Sequence, residues 1–587
     1  MKTTRTSPSR SRARDADRSC GDDHGPRSHG RTRLRTGTAL TGIVAAGSLA
    51  LAGNPFALSM QASQAAAAVT PQVRTSRTTV RPNMLVITAD DMRADDLRWM
   101  PRTRRLLADR GITFRNSFTT YPLCAPSRAS FLTGRYAHNH RVLSVSFPYG
   151  FRSFDDSSTL ATRLRGAGYR TALVGKYLNG YGTQLTYRTR RPSLHYVPPG
   201  WTQWYGACDH DWRRGQWPGG NTYNYMHLTS NVNGVLRTWP GQYTTGVTAG
   251  QTQSLVRRFG NASPRKPWFI WWTPVAPHGG GPAEPDDPSG NWATPARPAW
   301  VKHQFDSKIT HGAGTPLDHA AESDVSDKPA YIRHLQPLSR AEKRAERDVT
   351  RQRAEALYVL DLQIARTMGV LNRSGQASRT IVALTSDNGY YLGEHRKREG
   401  KITLHEPAVR VPLIMAGPGI PHGVRYDPAT ELDLAATVAS WAGTTLRNAD
   451  GHSLRPTITG GDHAWARPVL LEGKMLEGGY ARGTVDRALM HGMNTSGIRI
   501  GRYVLLRYST GENEVYDLAR DPLELHSLKS DRSREIRHLL IETWRQYAAC
   551  SGSRCQVTLP AGLRTPATTN RQITVSQERA RHGYYAY

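Results

Sequence analysis

Short runs of consecutive apolar residues, set between helical stretches, constrain the fold of this chain most. Met84-Leu-Val-Ile-Thr88, Thr171-Ala-Leu-Val-Gly175, Trp268-Phe-Ile-Trp-Trp272, Thr380-Ile-Val-Ala-Leu-Thr385 and Val411-Pro-Leu-Ile-Met415 are each too short for a buried helix. They lack polar alternation, so they read as strands covered on both faces, as parallel strands are. Met100 to Arg110 and Arg353 to Leu371 carry helical spacing, the first with Gly111 as its stop. Strands alternating with helices predict an α/β domain with a large, mostly parallel sheet flanked by helices.

A chain of 587 residues exceeds one small core and suggests a large domain with an appendage. We expect the main domain over 83–463. After about Ala464 the pattern changes. Ile498 to Tyr508 and Glu514-Val-Tyr-Asp-Leu518 read as antiparallel strands, followed by a helix from Ser533 to Ala548. This predicts a smaller C-terminal α+β subdomain over 464–556 and a weakly structured tail over 557–587. Gly182 to Gly246 is rich in Tyr, Trp, Asn and Gly without periodicity and reads as loops framing a site. Gly279 to Arg347 is similarly irregular.

Residues 1–70 read as an export signal and leader. Arginines run to Arg35, an apolar stretch spans Thr38 to Ala52, and small-residue cleavage candidates follow within Gln61 to Ala68. The apolar core is short and broken by glycine, which argues against a permanent membrane span. A secreted protein is expected. The formal charge of +31 would attract polyanions such as sulfated polysaccharide or acidic cell-wall polymer, the plainer alternative being an arginine-rich composition with no selected partner. The basic residues are scattered and form no nucleic-acid motif, so no nucleic-acid partner is expected. Of the five cysteines, Cys20 leaves with the leader. Cys550 and Cys555 could pair in an oxidising compartment, with Cys208 left over.

Two of the strands end in Asp90-Asp91 and Asp387-Asn388. Ligands gather beyond the carboxyl ends of strands in open α/β sheets, so these groups could converge. Three carboxylates and an amide oxygen suit Ca²⁺, or less well Mg²⁺, rather than zinc. The plainer alternative is that each Asp caps the next helix. Cys124-Ala-Pro-Ser-Arg128 opens a further helix, with Pro126 in its first turn and Gly134 as its stop. The free N–H groups of such a terminus favour an oxyanion. The plainer alternative there is a packed cysteine.

The run Cys124-x-Pro-Ser-Arg128…Leu132-Thr-Gly-Arg135 resembles the signature of type I sulfatases. Gly393-Glu-His395, Gly400-Lys401, Arg410-Val-Pro-Leu and Gly417-Pro-Gly-Ile extend the likeness in order. The resemblance implies an alkaline-phosphatase-like α/β fold and a sulfuric ester hydrolase. It implies that Cys124 is oxidised to formylglycine by a formylglycine-generating enzyme, the hydrated aldehyde being the nucleophile. Asp90, Asp91, Asp387, Asn388 and modified Cys124 would hold the cation. Arg128 would steady the formylglycine hydroxyl, and Lys176 and Lys401 would clamp sulfate oxygens. His278 would bond the ester oxygen or protonate the leaving group.

At the first lysine the chain departs from many arylsulfatases. Leu178 stands where they carry histidine, and Asn179 follows. Gly175-Lys-Tyr-Leu-Asn179, Val197-Pro-Pro-Gly-Trp201 and His138-Asn-His140 resemble instead the N-acetylglucosamine-6-sulfatase and extracellular endosulfatase branch. Asn179 would take over the missing contact. The substrate implied is a 6-O-sulfated glucosamine unit in a glycan, with an aryl sulfate as the other choice, and the aromatic stretch from Trp201 to Tyr243 would suit a saccharide. The rivals are a phosphonate monoester or phosphodiester hydrolase of the same superfamily and a catalytically silent glycan-binding protein.

Overall fold

Alternate residues of the central strand, Asn83–Ala89, feed two different cores, which is why its run is apolar throughout. Met84 and Val86 pack with Ala125, Ala129 and Leu132 of the helix Cys124–Thr133 and with Leu434 and Val438 of Glu431–Trp441. Leu85 and Ile87 face Leu255 and Val256 of Thr244–Ala262 and Leu357, Leu360 and Ile364 of Arg340–Arg373. The result is a sheet sandwiched between helices. The computed structural model describes residues 81–209, 219–262, 266–316, 323–474, 494–529 and 533–585, so the predicted leader over 1–70 lies outside the described residues.

Asn83–Ala89 pairs in parallel with Thr380–Ser386 on one side and Trp268–Thr273 on the other, in a sheet of 10 strands. Arg170–Lys176 and Gln203–Ala207 extend the parallel block. Antiparallel strands flank it. Leu413–Ala416 lies beside Thr380–Ser386, with Ile112–Phe114 next to it, and His227–Val232 and Val235–Pro240 close the far side. Every predicted apolar run supplies a strand of this sheet, the last starting at Leu413 rather than Val411. The carboxyl ends of its parallel strands open onto one region.

A second, four-stranded antiparallel sheet joins Val469–Lys474, Asn494–Ile500, Tyr503–Tyr508 and Asn513–Asp517. The helix Arg534–Tyr547 packs there through Leu540 and Tyr547, with the Trp544 indole donating to Ser496 Oγ at 2.9 Å. Cys550 and Cys555 are disulfide-bonded, and Cys208 is a buried free thiol.

Several expectations need correction. The aromatic stretch over 182–246 is not all loop, since it supplies three strands of the main sheet. Trp201, Trp204 and Tyr225 are buried and so pack rather than meet a saccharide. Asn233 and Gly234, with φ of 51° and 95°, make the tight turn between two of these strands. Ile498 to Tyr508 is two strands, broken at Gly501. Met100 to Arg110 is split into a helix, Pro101–Leu106, and a 3-10 turn, Ala108–Arg110. The 279–347 stretch ends in helix, because Ser339 and Glu342 form a capping box at the start of Arg340–Arg373. The tail carries the helix Ala567–Tyr585, seated by polar contacts: Thr574 Oγ1 and Asn570 Oδ1 accept from Asn116 Nδ2, and Gln577 Oε1 accepts from Arg410 Nη2 at 3.0 Å.

Glu406 ties the two sheets together. It opens the short helix Glu406–Val409 and accepts from Arg410, which caps that helix, and, at 2.8 Å, from Arg499 of the C-terminal sheet, all three being buried. Burial alone would raise its pKa, but Arg410 and Arg499 outweigh that and hold it down at about 2. A depressed carboxyl contributes stability above its unfolded pKa and loses it as pH falls through the folded value. Glu406→Ala is therefore expected to cost about 3–5 kcal/mol at neutral pH by stranding two buried arginines. Urea unfolding should show the wild-type advantage over the variant shrinking as pH is lowered from about 5 towards 2.

Candidate active site

Asp90 and Asp91 follow the central strand, Asp387 and Asn388 follow its neighbour Thr380–Ser386, and Lys176 ends Arg170–Lys176. His278 comes from the loop after Trp268–Thr273, Lys401 from the loop after Asn388, and Cys124 and Arg128 from the first turns of Cys124–Thr133. The parallel topology thus brings all the expected site residues into one cluster. Except for His278 and Lys401, which keep a little exposure, they are buried.

Lysine–carboxylate pairs hold the cluster together. Lys176 Nζ lies 2.6 Å from Asp90 Oδ2, and Lys401 Nζ pairs with Asp91 Oδ1 and reaches Cys124 Sγ at 2.9 Å. Cys124 Sγ is 3.4 Å from Asp90 Oδ1. Arg128 Nε donates to Asp387 Oδ2 at 2.8 Å and Nη1 donates to the Lys176 carbonyl at 2.9 Å. The other Asp387 oxygen accepts the Asp91 N–H at 3.1 Å, so this carboxylate bridges the two strand ends. His278 Nε2 faces Asp91 Oδ2 at 3.6 Å. Its Nδ1 is 2.7 Å from the Gly279 carbonyl, which can only accept, so the proton sits on Nδ1.

Burial would raise the Asp90 carboxyl, but Lys176 and its cationic neighbours outweigh it and hold Asp90 ionised. Burial, with Asp90 adding to it, pushes Asp387 up to about 6. Burial, again with Asp90, pushes the Cys124 thiol up to about 12, which leaves the encoded side chain a poor thiolate. His278 is lowered by burial, against the pull of Asp91 and Asp90.

The donors fit a hard divalent cation. Asn388 Nδ2 is committed to Asp91 Oδ1 at 2.6 Å and to the Gly389 carbonyl at 2.8 Å. Its Oδ1 is buried and accepts no hydrogen bond among the described residues. An orphaned amide oxygen next to the Asp91 carboxylate suits a hard divalent cation. Ligating atoms of Asp90, Asp91, Cys124 and His278 lie within 4.8 Å of one another. The helix-capping alternative does not hold at Asp90 and Asp91, since the N-cap of the next 3-10 helix, Ala94–Trp99, is Arg93, whose N–H donates to Asp96 Oδ2 at 3.0 Å.

Sequence reasoning missed three contributors. Arg353, buried in the long helix, donates from Nη2 to the Asp91 carbonyl at 2.6 Å and from Nη1 to the Pro277 carbonyl at 3.4 Å. It thereby spans the two loops that carry Asp91 and His278. Arg93 reaches the Tyr390 carbonyl at 2.7 Å and Glu394 at 2.7 Å, fixing the loop after Asn388. Tyr223 lies with its ring 4.8 Å from that of His278 and 5.0 Å below Lys176 Nζ. Asn179, expected to replace the missing histidine contact, donates to the Tyr223 hydroxyl at 2.6 Å.

A helix-flanked, mostly parallel sheet with a carboxylate cluster at its strand ends has the alkaline-phosphatase-like α/β fold that the resemblance implied. The sulfatase family profile matches residues 82–444, and that of the N-sulphoglucosamine sulphohydrolase C-terminal region matches 393–548. The chain belongs to the sulfatase family. It is 31% identical over 408 residues to the extracellular sulfatase SULF-1 homolog of Drosophila melanogaster, across 67% of this chain but only 33% of that protein. Against the human N-acetylglucosamine-6-sulfatase it is 28% identical, covering 67% of each. Among solved structures, one in complex with its substrate D-glucosamine-2-N,6-O-disulfate aligns with a TM-score of 0.59 at 20% identity, over 81% of this chain and 98% of that one.

Proposed function

We propose that this chain is an exported, cation-dependent sulfatase that hydrolyses sulfate esters of a glycan, a 6-O-sulfated glucosamine unit being the substrate of choice. One observation carries the reading: Lys176, Lys401 and Arg128 converge with a carboxylate cluster on Cys124 at a helix N-terminus. The kinship with extracellular and N-acetylglucosamine-6-sulfatases supports the substrate class.

Asp90, Asp91, Asp387 and Asn388 would hold Ca²⁺, with Mg²⁺ the second choice, and the cation supplies Lewis-acid polarisation of a sulfate oxygen. Residue 124 acts as formylglycine, made by a formylglycine-generating enzyme, whose hydrate supplies a hydroxyl nucleophile. Lys176 and Lys401 present ammonium groups to the equatorial sulfate oxygens, and the helix N-terminus adds its N–H groups. Arg128, locked by Asp387 and the Lys176 carbonyl, orients the residue 124 hydroxyl. With Nδ1 committed to Gly279, His278 can give a proton to the leaving oxygen only as the imidazolium, from Nε2.

The mass of the tryptic peptide Asn116–Arg128 from protein made in its native host tests the mechanism. A formyl group in place of the thiol is expected, and an unmodified thiol in all the protein would sink it. Sulfate and phosphate esters of one leaving group separate the sulfatase from a phosphonate or phosphodiester hydrolase. Faster phosphate turnover would favour the latter. Arg353→Met is expected to weaken calorimetric Ca²⁺ binding about 10–100-fold, and to lower kcat with KM for a small aryl sulfate little changed. Unchanged cation affinity would remove Arg353 from this role.

A further inference from the structure

Three of the large apolar side chains that this protein leaves exposed stand on two adjoining loops beside the active site. Phe147 is 57% exposed, Tyr187 40% and Tyr149 37%. Arginines accompany them. The Arg152 guanidinium lies 4.8 Å over the Phe147 ring and that of Arg190 lies 5.6 Å over Tyr187. Arg188 and Arg191 share the exposed turn with Tyr187. Among the described residues the acidic partner of these arginines is Asp155, 3.8 Å from Arg188 with both side chains about half exposed or more. A pair so exposed holds little energy and leaves the guanidinium available.

The two loops are joined and rooted at the catalytic cluster. Gln184 Oε1 accepts the Arg152 N–H at 3.0 Å. The tip that carries Tyr187 is closed by Thr186 N to the Arg191 carbonyl at 2.9 Å. The Phe151 N–H donates to the Asn179 carbonyl at 3.1 Å, and Asn179 holds Tyr223 against His278. Both loops are thus tied, through Asn179 and Tyr223, to the side of the cluster that carries Lys176 and His278.

We propose that these loops are a docking platform for the sulfated polysaccharide chain that flanks the scissile unit. Exposed aromatic faces stack on pyranose rings, and guanidinium forks pair with sulfate oxygens. Arginines stacked on the rings are held extended, which lowers the ordering cost of binding. Neither a purely aromatic nor a purely basic patch would serve an anionic sugar as well. The proposal rests on the sulfated-glycan reading above and adds a site remote from the reacting bond.

The test uses the full chain carrying Tyr187→Ala, Arg188→Ala and Arg190→Ala together, all on an exposed turn, with Phe147→Ala as a second variant. In a Cys124→Ala background, binding of heparin oligosaccharides is read by calorimetry at two salt concentrations. In the active enzyme, KM is read for the same oligosaccharides and for 4-nitrophenyl sulfate. The triple variant is expected to bind the oligosaccharide about tenfold more weakly, with a shallower salt dependence, and to raise its KM alike. The small ester should be turned over as by the parent. Wild-type affinity in both variants would overturn the platform, as would equal binding of single-stranded DNA or of desulfated heparin. A parent that binds heparin through these loops yet turns over no sulfate ester would overturn the proposed function and leave the platform standing.

Discussion

Cys124→Ala is expected to lower kcat/KM for any sulfate ester by roughly four orders of magnitude or more, because on the proposed mechanism it removes the thiol whose oxidation at Cβ yields the formylglycine nucleophile. The fold should survive. Residue 124 loses one sulfur atom, a change that costs on the order of 1 kcal/mol at a buried site. Lys401 keeps Asp91 as its partner, and Asp90 keeps Lys176. Thermal unfolding should therefore stay close to the parent while turnover of 4-nitrophenyl sulfate vanishes. Cys124→Ser restores one hydroxyl but not the geminal pair, and is expected to stay far below the parent. Activity above about one per cent in the alanine variant would place the nucleophile elsewhere. Activity should also track the converted fraction of the Asn116–Arg128 peptide when the protein is co-produced with a formylglycine-generating enzyme.

How much of this was legible in the sequence depended on what holds each element in place. Strands such as Met84 to Thr88 and Trp268 to Trp272 are buried on both faces, so hydrophobic continuity alone exposes them. That the candidate site residues would lie together was legible through their motifs and through the rule that ligands gather at strand ends. The strands His227–Val232 and Val235–Pro240 were not. His227–Val232 is largely buried yet carries Thr229, Ser230 and Asn231, and Val235–Pro240, the edge strand, is largely exposed with Arg237 and Thr238 breaking its apolar residues, so neither shows a continuous apolar run. The Asn233-Gly234 dipeptide between them was the usable signal. The helix Ala567–Tyr585 was hidden for another reason. Its buried face presents Asn570, Ile573, Thr574 and Gln577, so it docks through amides and hydroxyls that no apolar period reveals. Arg353 was hidden because an arginine in a long basic helix reads as solvated. Only the fold shows it turned inward onto the Asp91 and Pro277 carbonyls.

Asp387→Asn should abolish turnover by a different route, and the comparison with Asp387→Ala separates charge from architecture. The aspartate joins two strand ends: one oxygen accepts the Asp91 N–H and the other accepts Arg128 Nε. Asparagine keeps the acceptor for Asp91 but removes the charge opposite Arg128. Alanine removes both and strands a fully buried guanidinium, so it should also cost about 3–5 kcal/mol of stability. A loss of roughly a thousandfold or more in kcat/KM is expected for either. Activity alone would not distinguish a cation ligand from a mere brace for Arg128, but linkage does. A cation bound only by the folded state stabilises it by about 2.7 kcal/mol at a free concentration 100 times its Kd. The parent should lose that increment on chelation and regain it with Ca²⁺. If Asp387 is a ligand, the asparagine variant should unfold at the same midpoint with or without Ca²⁺ at those concentrations. A variant that is inactive yet fully stabilised by Ca²⁺ would leave Asp387 the work of positioning Arg128, with Asp90, Asp91 and Asn388 carrying the metal. Chelation that leaves both turnover and heparin binding untouched would overturn cation dependence itself. In a silent glycan-binding protein, by contrast, the asparagine substitution would leave heparin affinity unchanged and the parent would have no turnover to lose.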